Sequence, residues 1–429
     1  MPCTVLLGCQ WGDEGKAAIV DYLSSSMDYV VRFQGGGNAG HTVVVDNQKF
    51  ILHYIPSGIL NPRTSCVMGN GMVIALDGLF QEIQELHQQG IDCNKRLFIS
   101  DRAHLVLPYH IELDGAGEES QRKQKIGTTR KGIGPTYSDK VAHLGVRVGN
   151  LYQSNFRTHL VQLLDEKNFW LSHYYHAPKI TLEKFYDTLM RFASEMEPYV
   201  TDTISLLHSA LDDGKSILLE GAQGTMLDVD FGTYPFVTSS NCTAGGACTG
   251  SGVPPTRINN SYGIFKTYLT RVGEGPMPTE LFGEEGDYLR QLGNEFGSTT
   301  GRPRRCGWFD LVLAQYAAKI NGLTGIILTK LDILDAYDSI RVCTHYEFDG
   351  TKLTTYPSCT ETLENIQPVY TDLPGWKCNT RGLTTYEALP PEAKDYLQFL
   401  STQINVPILG ISTGPARHEL IWLEEKPIH

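Results

Sequence analysis

An α/β fold, with a large, mostly parallel central sheet and helices on both faces, is what this chain of 429 residues predicts. Three observations carry that reading. Short apolar runs alternate with stretches of helical periodicity, the pattern of strands buried on both faces. Glycine-rich segments at 8–16, 34–41, 220–225 and 412–415 each follow one of those runs, and ligands bind beyond the C-terminal ends of parallel strands, so the segments should meet along one edge. Hydrophobic residues make up 41% of the chain and charged residues 20%, which supplies a core and excludes wholesale disorder.

Each element has its own signal. Val5-Leu6-Leu7 is a first strand that enters the loop Gly8–Lys16 and a helix over Ala17–Ser24. Tyr29-Val30-Val31 is a second buried strand and ends in Gln34–His41. Thr42–Val45 and Phe50–Tyr54 form a hairpin turning at Asp46-Asn47. Leu76–Gln89 is a helix with Leu79, Phe80, Ile83 and Leu86 on one face, and Arg96–Ser100 is a strand. Residues 101–210 read as a mainly helical insert, with helices at Asn155–Tyr174 and Ile180–Met196, within one large α/β domain of residues 1–429. The alternation then resumes. Strands are expected at Ser216–Leu219, Ile264–Leu269, Gly325–Thr329 and Pro407–Ile411, with helices at Asp310–Ile320 and Glu392–Asn405.

Composition bounds the function. Lysine and arginine number 36 against 48 acidic residues, a net charge of −12, which argues against a general duplex-binding surface but leaves room for an anionic small substrate. The ten cysteines are scattered with no CxxC spacing, so a zinc ribbon or redox pair is unsupported and a reduced, cytoplasmic setting is expected. Thr4–Gly8 is too short for a signal peptide and no apolar run approaches about 20 residues, so no membrane span is expected.

Four segments carry chemistry. Gly12-Asp-Glu-Gly-Lys16 resembles a phosphate loop, although Gln10 and Ala17 break the Walker pattern. A strand, glycine loop, lysine and helix still aim backbone N–H groups at an anion. Asp13 would repel phosphate unless a cation lies between, which suggests a magnesium contact, proton transfer or both; an ordinary helix-capping turn is the plainer alternative. Gly35–Thr42 is a second glycine-rich loop, and its His41 stands out among thirteen histidines as an acid–base or phosphate-contacting group, with a structural cap as the alternative. Thr329-Lys-Leu-Asp332 follows a strand, and a carboxylate there can accept from the guanine N1–H and 2-amino group. Ser298–Arg305 packs Arg302, Arg304 and Arg305 beside hydroxyls and glycine, suited to carboxylate or phosphate, or else to a solvated loop. Gly127–Pro135 is a similar loop of glycine, threonine and basic residues.

Together these segments are similar to those of the adenylosuccinate synthetase family. The likeness runs through Gln10–Lys16, Asn38–Thr42, Ile126–Thr129 with Gly132–Tyr137, Glu220–Gly224, Asp230–Asn241, Thr299–Arg302, Thr329–Asp332 and Ser412–Pro415, in family order. It implies a P-loop-NTPase-like sheet and a homodimer that joins IMP to L-aspartate with GTP and magnesium, by way of 6-phosphoryl-IMP. It implies catalytic roles for Asp13, Lys16, His41 and Gln223, and magnesium at Asp13 and the Gly40 carbonyl. The IMP site would use Asp13, Glu14, Gly15, Lys16, Asn38, Ala39, Gly40, His41, Thr129, His143, Arg147, Gln223, Thr238 and Arg302. The aspartate site would use Ser298, Thr299, Thr300, Gly301, Arg302, Pro303 and Arg304. GTP would meet Gly12–Lys16, Gly40, His41, Thr42 and Arg304, and its base Lys330, Leu331 and Asp332 with Ser412, Thr413 and Gly414.

The chain departs from the family pattern at four positions. Ala17-Ala18 stand for the usual Gly-Lys, Gly37 for Asn or His, and His143 for an arginine donated across the dimer. These changes imply weaker GTP or IMP binding with the chemistry retained. They leave open a paralogous ligase for another 6-oxopurine nucleotide or amine, and a nucleotide-binding regulator without turnover.

Overall fold

Residues 2–45, 48–120, 125–297 and 301–423 are described in the computed structural model of this chain. Strand Cys3–Gly8 (β1) is buried along its whole length. Side chains alternate between faces along a strand. Cys3, Val5 and Leu7 accordingly enter one core with Val31, Val67 and Leu219, and Leu6 enters another with Val30 and Leu218. Each such side chain contributes about 1.5–3 kcal/mol of hydrophobic free energy, so both faces of β1 demand cover.

The other strands of the main sheet are Tyr29–Arg32 (β2), Ser65–Met68 (β3), Leu97–Ser100 (β4), Val200–Thr201 (β5), Ile217–Glu220 (β6), Ile258–Lys266 (β7), Gly325–Thr329 (β8), Ile408–Ser412 (β9) and Leu420–Trp422 (β10). Their order is β10-β9-β8-β7-β1-β6-β2-β3-β4-β5. Neighbours pair in parallel except β9 with β10, which is antiparallel. The strand order reverses around β1, which is the point where an open α/β sheet leaves a crevice for ligands.

Helix Lys16–Ser24 lies over Val30 and Leu218 on one face, and helix Thr203–Asp212 over Val31 and Leu219 on the other. Helices Leu311–Asn321 and Pro391–Ile404 pack with Ile326, Leu328 and Ile411. Between β4 and β6 the chain runs mainly through helices, at Pro108–Glu119, Ile133–Val141, Phe156–Phe169, Tyr186–Met196 and Thr203–Asp212.

The predicted sheet class holds, and several details differ. β3 was not expected, because Ser65-Cys-Val-Met68 is too short to show a period. β7 begins at Ile258, earlier than expected, since Asn259, Asn260 and Ser261 hide its start, and Leu269–Arg271 is a separate strand paired with Arg305–Gly307. The predicted helix over 155–174 is α-helical to Phe169 and ends in a wider π turn. The hairpin pairs His41–Val45 with Gln48–Leu52, and its expected turn residues Asp46 and Asn47 lie outside the described residues. A small sheet built on Ser339–Phe348 and Gln367–Pro374 had no sequence signal strong enough to name.

Candidate active site

Gly8, Arg32, Glu220, Lys266, Thr329 and Ser412 are the last residues of six parallel strands, so the loops that follow them open on one edge. Gly15 has φ +88°, a backbone state that favours glycine, and helix Lys16–Ser24 starts after it without any side-chain cap. Its first N–H groups are therefore open to an anion. Glu14 does not cap that helix. It turns back into the loop, accepting from Gln10 N (3.0 Å) and Gly12 N (2.8 Å). Lys16 Nζ closes on Glu14 Oε2 (2.6 Å) and the Gln223 carbonyl (2.5 Å), so its ammonium is buried in the loop. The amine ties the first loop to the segment after β6.

That segment carries Glu220 and Gln223. Gln34 Oε1 accepts from Ala222 N (3.1 Å), so Gln34 Nε2 is the end that donates to Gln223 Oε1 (3.0 Å). Gln223 Nε2 is left buried without a partner. His41 Nδ1 lies 2.6 Å from Glu220 Oε1, and its Nε2 is also buried and unpartnered. Burial lowers the His41 pKa, and the charges of Arg32 and Lys16 push the same way against Glu220. Burial would raise the Glu220 carboxyl, but the His41 and Ser57 hydrogen bonds and the Arg32 charge outweigh it and hold the group below its ordinary value.

Asp13 stands at the open side, with Arg304 Nε 2.8 Å from its Oδ2. Arg304 Nη1 in turn meets Glu295 Oε2 at 2.6 Å. Glu295 is fully buried and also takes Lys266 and Lys330, each at 2.9 Å, and the Tyr268 hydroxyl at 2.5 Å. Burial would raise its pKa; the three cations drive it far below the usual carboxylate range. Thr329 Oγ1 donates to the Glu14 carbonyl (2.6 Å), fastening the Asp13 loop to the segment Lys330–Asp332. Burial, with Asp335 nearby, raises the half-buried Asp332 to about 6. Leu331 is buried, and the Ser412, Thr413 and Gly414 loop folds on itself through Ser412 Oγ to Gly414 O (2.8 Å).

Asn38 Nδ2 reaches Thr238 Oγ1 at 3.5 Å, so those two expected residues come together. Ala39 is buried, and its carbonyl meets His53 Nδ1 at 2.6 Å. Gly40 and Thr42 are half-buried beside His41. Thr129, His143 and Arg147 are exposed, and no hydrogen bond or ion pair among the described residues ties them to Asp13 or His41. Gly301, Arg302 and Pro303 are exposed, and Ser298, Thr299 and Thr300 lie outside the described residues. A Cβ at Gly37 would collide with the Tyr54 hydroxyl, so Tyr54 fills the space that a side chain at 37 would need. Sequence reasoning missed Arg32, Ser57, Lys266 and Glu295, polar residues whose partners lie far along the chain; only a charge at the end of an apolar run, as in Arg32 and Lys266, hinted at them.

A parallel sheet whose strand ends gather an anion-ready helix start, buried polar groups without partners and a cluster of cations defines an α/β enzyme acting on nucleotides. The family model for adenylosuccinate synthetase matches residues 5–421, and this chain belongs to that family of C–N bond-forming ligases. The adenylosuccinate synthetase of Thermodesulfovibrio yellowstonii is 48% identical, covering 100% of both chains. That of Hahella chejuensis is 51% identical over 98% of both. The fully ligated adenylosuccinate synthetase of Plasmodium falciparum has a TM-score of 0.94 and 38% identity, covering 99% of this chain and 100% of that one. Succinoaminodeoxyadenylate synthetase of cyanophage S-2L, at 20% identity and a TM-score of 0.62, shares the fold.

Proposed function

We propose that this chain condenses IMP and L-aspartate to adenylosuccinate, with GTP converted to GDP and phosphate. The observation that supports the reading is that Asp13, His41 and Gln223 stand on loops at one edge of the sheet, His41 held by Glu220 and Gln223 by Gln34, while Thr329, next to the Lys330–Asp332 segment, bonds to the Glu14 carbonyl. Asp13 takes the N1 proton of the hypoxanthine ring, and O6 then attacks the γ-phosphorus as the bond to GDP breaks. The aspartate amine adds at C6 of the resulting 6-phosphoryl-IMP, and phosphate leaves with the C6–O6 bond. Gln223 Nε2 donates to the developing charge on O6 and His41 Nε2 faces the transferring phosphoryl group. Lys16 contributes charge from within the loop.

Asn38, Thr238 and Thr129, with Glu14, Gly15, Ala39, Gly40, Arg147 and Arg302, hold IMP, and His143 reaches the site from a partner subunit in a homodimer. Ser298–Arg304 holds the aspartate carboxylates. Gly12, Thr42 and Arg304 serve the GTP phosphates; Lys330, Leu331 and Asp332 with Ser412–Gly414 serve its base. Among the described residues no cluster of three or more His, Cys, Asp or Glu could cage a metal. A lone carboxylate at Asp13 with a carbonyl at Gly40 fits Mg²⁺, which is commonly held by one or two carboxylates and substrate phosphates. When bound, the ion neutralises phosphate charge. We read residues 1–429 as one working unit with 101–210 as its helical insert, in the cytoplasm; no helix among the described residues is long and apolar enough to cross a membrane.

The test mixes purified protein, Mg²⁺, GTP, IMP and L-aspartate, and follows succinylated-purine absorbance with phosphate release. One phosphate per product, lost when ATP replaces GTP, is the expected result. Turnover only with another 6-oxopurine monophosphate or another amine would replace this reading with the paralogous ligase, and GTP binding without turnover on any substrate with a regulator.

A further inference from the structure

Glu220 is fully buried at the end of β6 and has no direct route to solvent. Both of its oxygens accept hydrogen bonds. Oε1 takes His41 Nδ1 at 2.6 Å and Ser57 Oγ at 2.8 Å, and Oε2 takes Ser57 N at 2.8 Å. Arg32, also fully buried, lies close enough for its charge to act on this carboxylate, while its Nη1 donates to the His53 carbonyl (2.7 Å). A carboxylate offers acceptors only, so the proton between the two side chains sits on Nδ1 of the imidazole. The other ring nitrogen, Nε2, is buried and has no hydrogen-bond partner among the described residues.

We infer that Glu220, locked by Ser57, is a positioning residue that fixes the ring orientation and the Nδ1–H tautomer of His41, so that Nε2 alone is presented to the nucleotide. The inference rests on the ligase reading for what Nε2 meets, and on contacts within the chain for how the ring is held. Two hydrogen bonds from Ser57 to Glu220 oppose rotation of the carboxylate, and the carboxylate opposes a ring flip that would exchange Nδ1 and Nε2. Preorganisation of this kind acts on the chemical step: with Nδ1–H held by Glu220, the next proton the ring takes goes to Nε2, and that N–H is then aimed to donate to the transferring phosphoryl oxygens, whereas a misplaced ring binds substrates as well as before but donates badly.

The experiment uses the full chain with ¹⁵N-labelled histidine, assigns His41 by difference against His41→Asn, and compares wild type with Glu220→Gln, Glu220→Asp and Ser57→Ala. In wild type, Nδ1 of His41 carries the N–H signature and Nε2 does not. Glu220→Gln can present either an oxygen or an amide to Nδ1, so its spectrum shows mixed tautomers. Its kcat falls by about 100-fold, with the KM values for IMP and GTP within about threefold. Glu220→Asp recovers the single tautomer and part of kcat. Ser57→Ala keeps the His41 contact and loses about threefold to tenfold in kcat, which tests the lock if Glu220→Gln does not fold. A Glu220→Gln enzyme with one unchanged tautomer, or with raised KM values and unaltered kcat, overturns the assignment. Absence of ligase turnover in wild type strikes the function reading instead, and the tautomer signal still decides the role of Glu220.

Discussion

Glu220 and Glu295 are both carboxylates sealed from water near the same cleft, yet they are satisfied by opposite means. Glu220 is surrounded mainly by neutral donors, namely an imidazole, a hydroxyl and a backbone N–H. Glu295 gathers two ammonium groups, a guanidinium and a phenol. The first arrangement aims one ring. The second holds like charges together: Lys266, Lys330 and Arg304 share Glu295, and Arg304 also reaches Asp13. A buried carboxylate can thus supply direction or concentrate charge, and its neighbours decide which.

Five variants would break or sharpen this contrast. Asp13→Asn has the largest expected effect, a loss of about 10³- to 10⁴-fold in kcat. GTP binding by calorimetry without Mg²⁺ should persist, because the Arg304–Glu295 pair remains, while binding with Mg²⁺ should weaken; loss of binding without Mg²⁺ would show that Asp13 holds the charge cluster together.

Glu295→Gln leaves three cations without their shared counter-ion and should cost about 3–4 kcal/mol in urea unfolding. The same change at Glu220 should cost less, because it strands no cluster of cations. The pH dependence has a definite sign. The folded Glu295 carboxyl is held far below its ordinary value, so its stabilisation is complete above about pH 4.5 and fades as pH falls below that. Between pH 5 and pH 3 wild type should therefore lose more stability than Glu295→Gln. Equal losses would mean that other carboxylates dominate.

Asp332 sharpens the contrast from the base-recognition side. Its carboxyl is raised to about 6, and guanine needs the ionised form. GTP affinity should be level above pH 7 and about tenfold weaker at pH 5. Asp332→Asn should bind GTP more weakly at pH 7 and show no such step; a step retained in that variant would assign it to another group. The smallest effect belongs to the departures at the rim. Ala18→Lys and His143→Arg together should lower the KM values for GTP and IMP by about threefold to fivefold, as initial-rate kinetics would show. Unchanged KM values would mean that the cations gathered on Glu295 already suffice.

Legibility in the sequence followed the range of the interaction. The first strand, loop and helix were readable because apolar spacing, glycines and a lysine lie within about 20 residues. The Lys330–Asp332 segment was readable for the same reason. Glu220 appeared in the sequence only as the first residue of a motif, because its role depends on His41, 179 positions away. The contact between Lys16 Nζ and the Gln223 carbonyl spans 207 positions and has no local sequence signal. Gly37 looked like a lost contact until Tyr54 was seen in the same volume. Local pattern reveals where a backbone turns toward a ligand; it is silent on which buried charges meet across the sheet.

The order of strands also sets a timetable for synthesis. β1 is made well before its two neighbours, β6 and β7, which lie more than 200 positions later. At roughly 5–20 residues per second, the central strand waits at least about ten seconds for a partner on either side. Through that interval Val5, Leu6 and Leu7 form an apolar stretch with unpaired edges, the kind of segment that chaperones shield. A ribosome that stalls before β6 would release a chain whose most buried strand has nowhere to go.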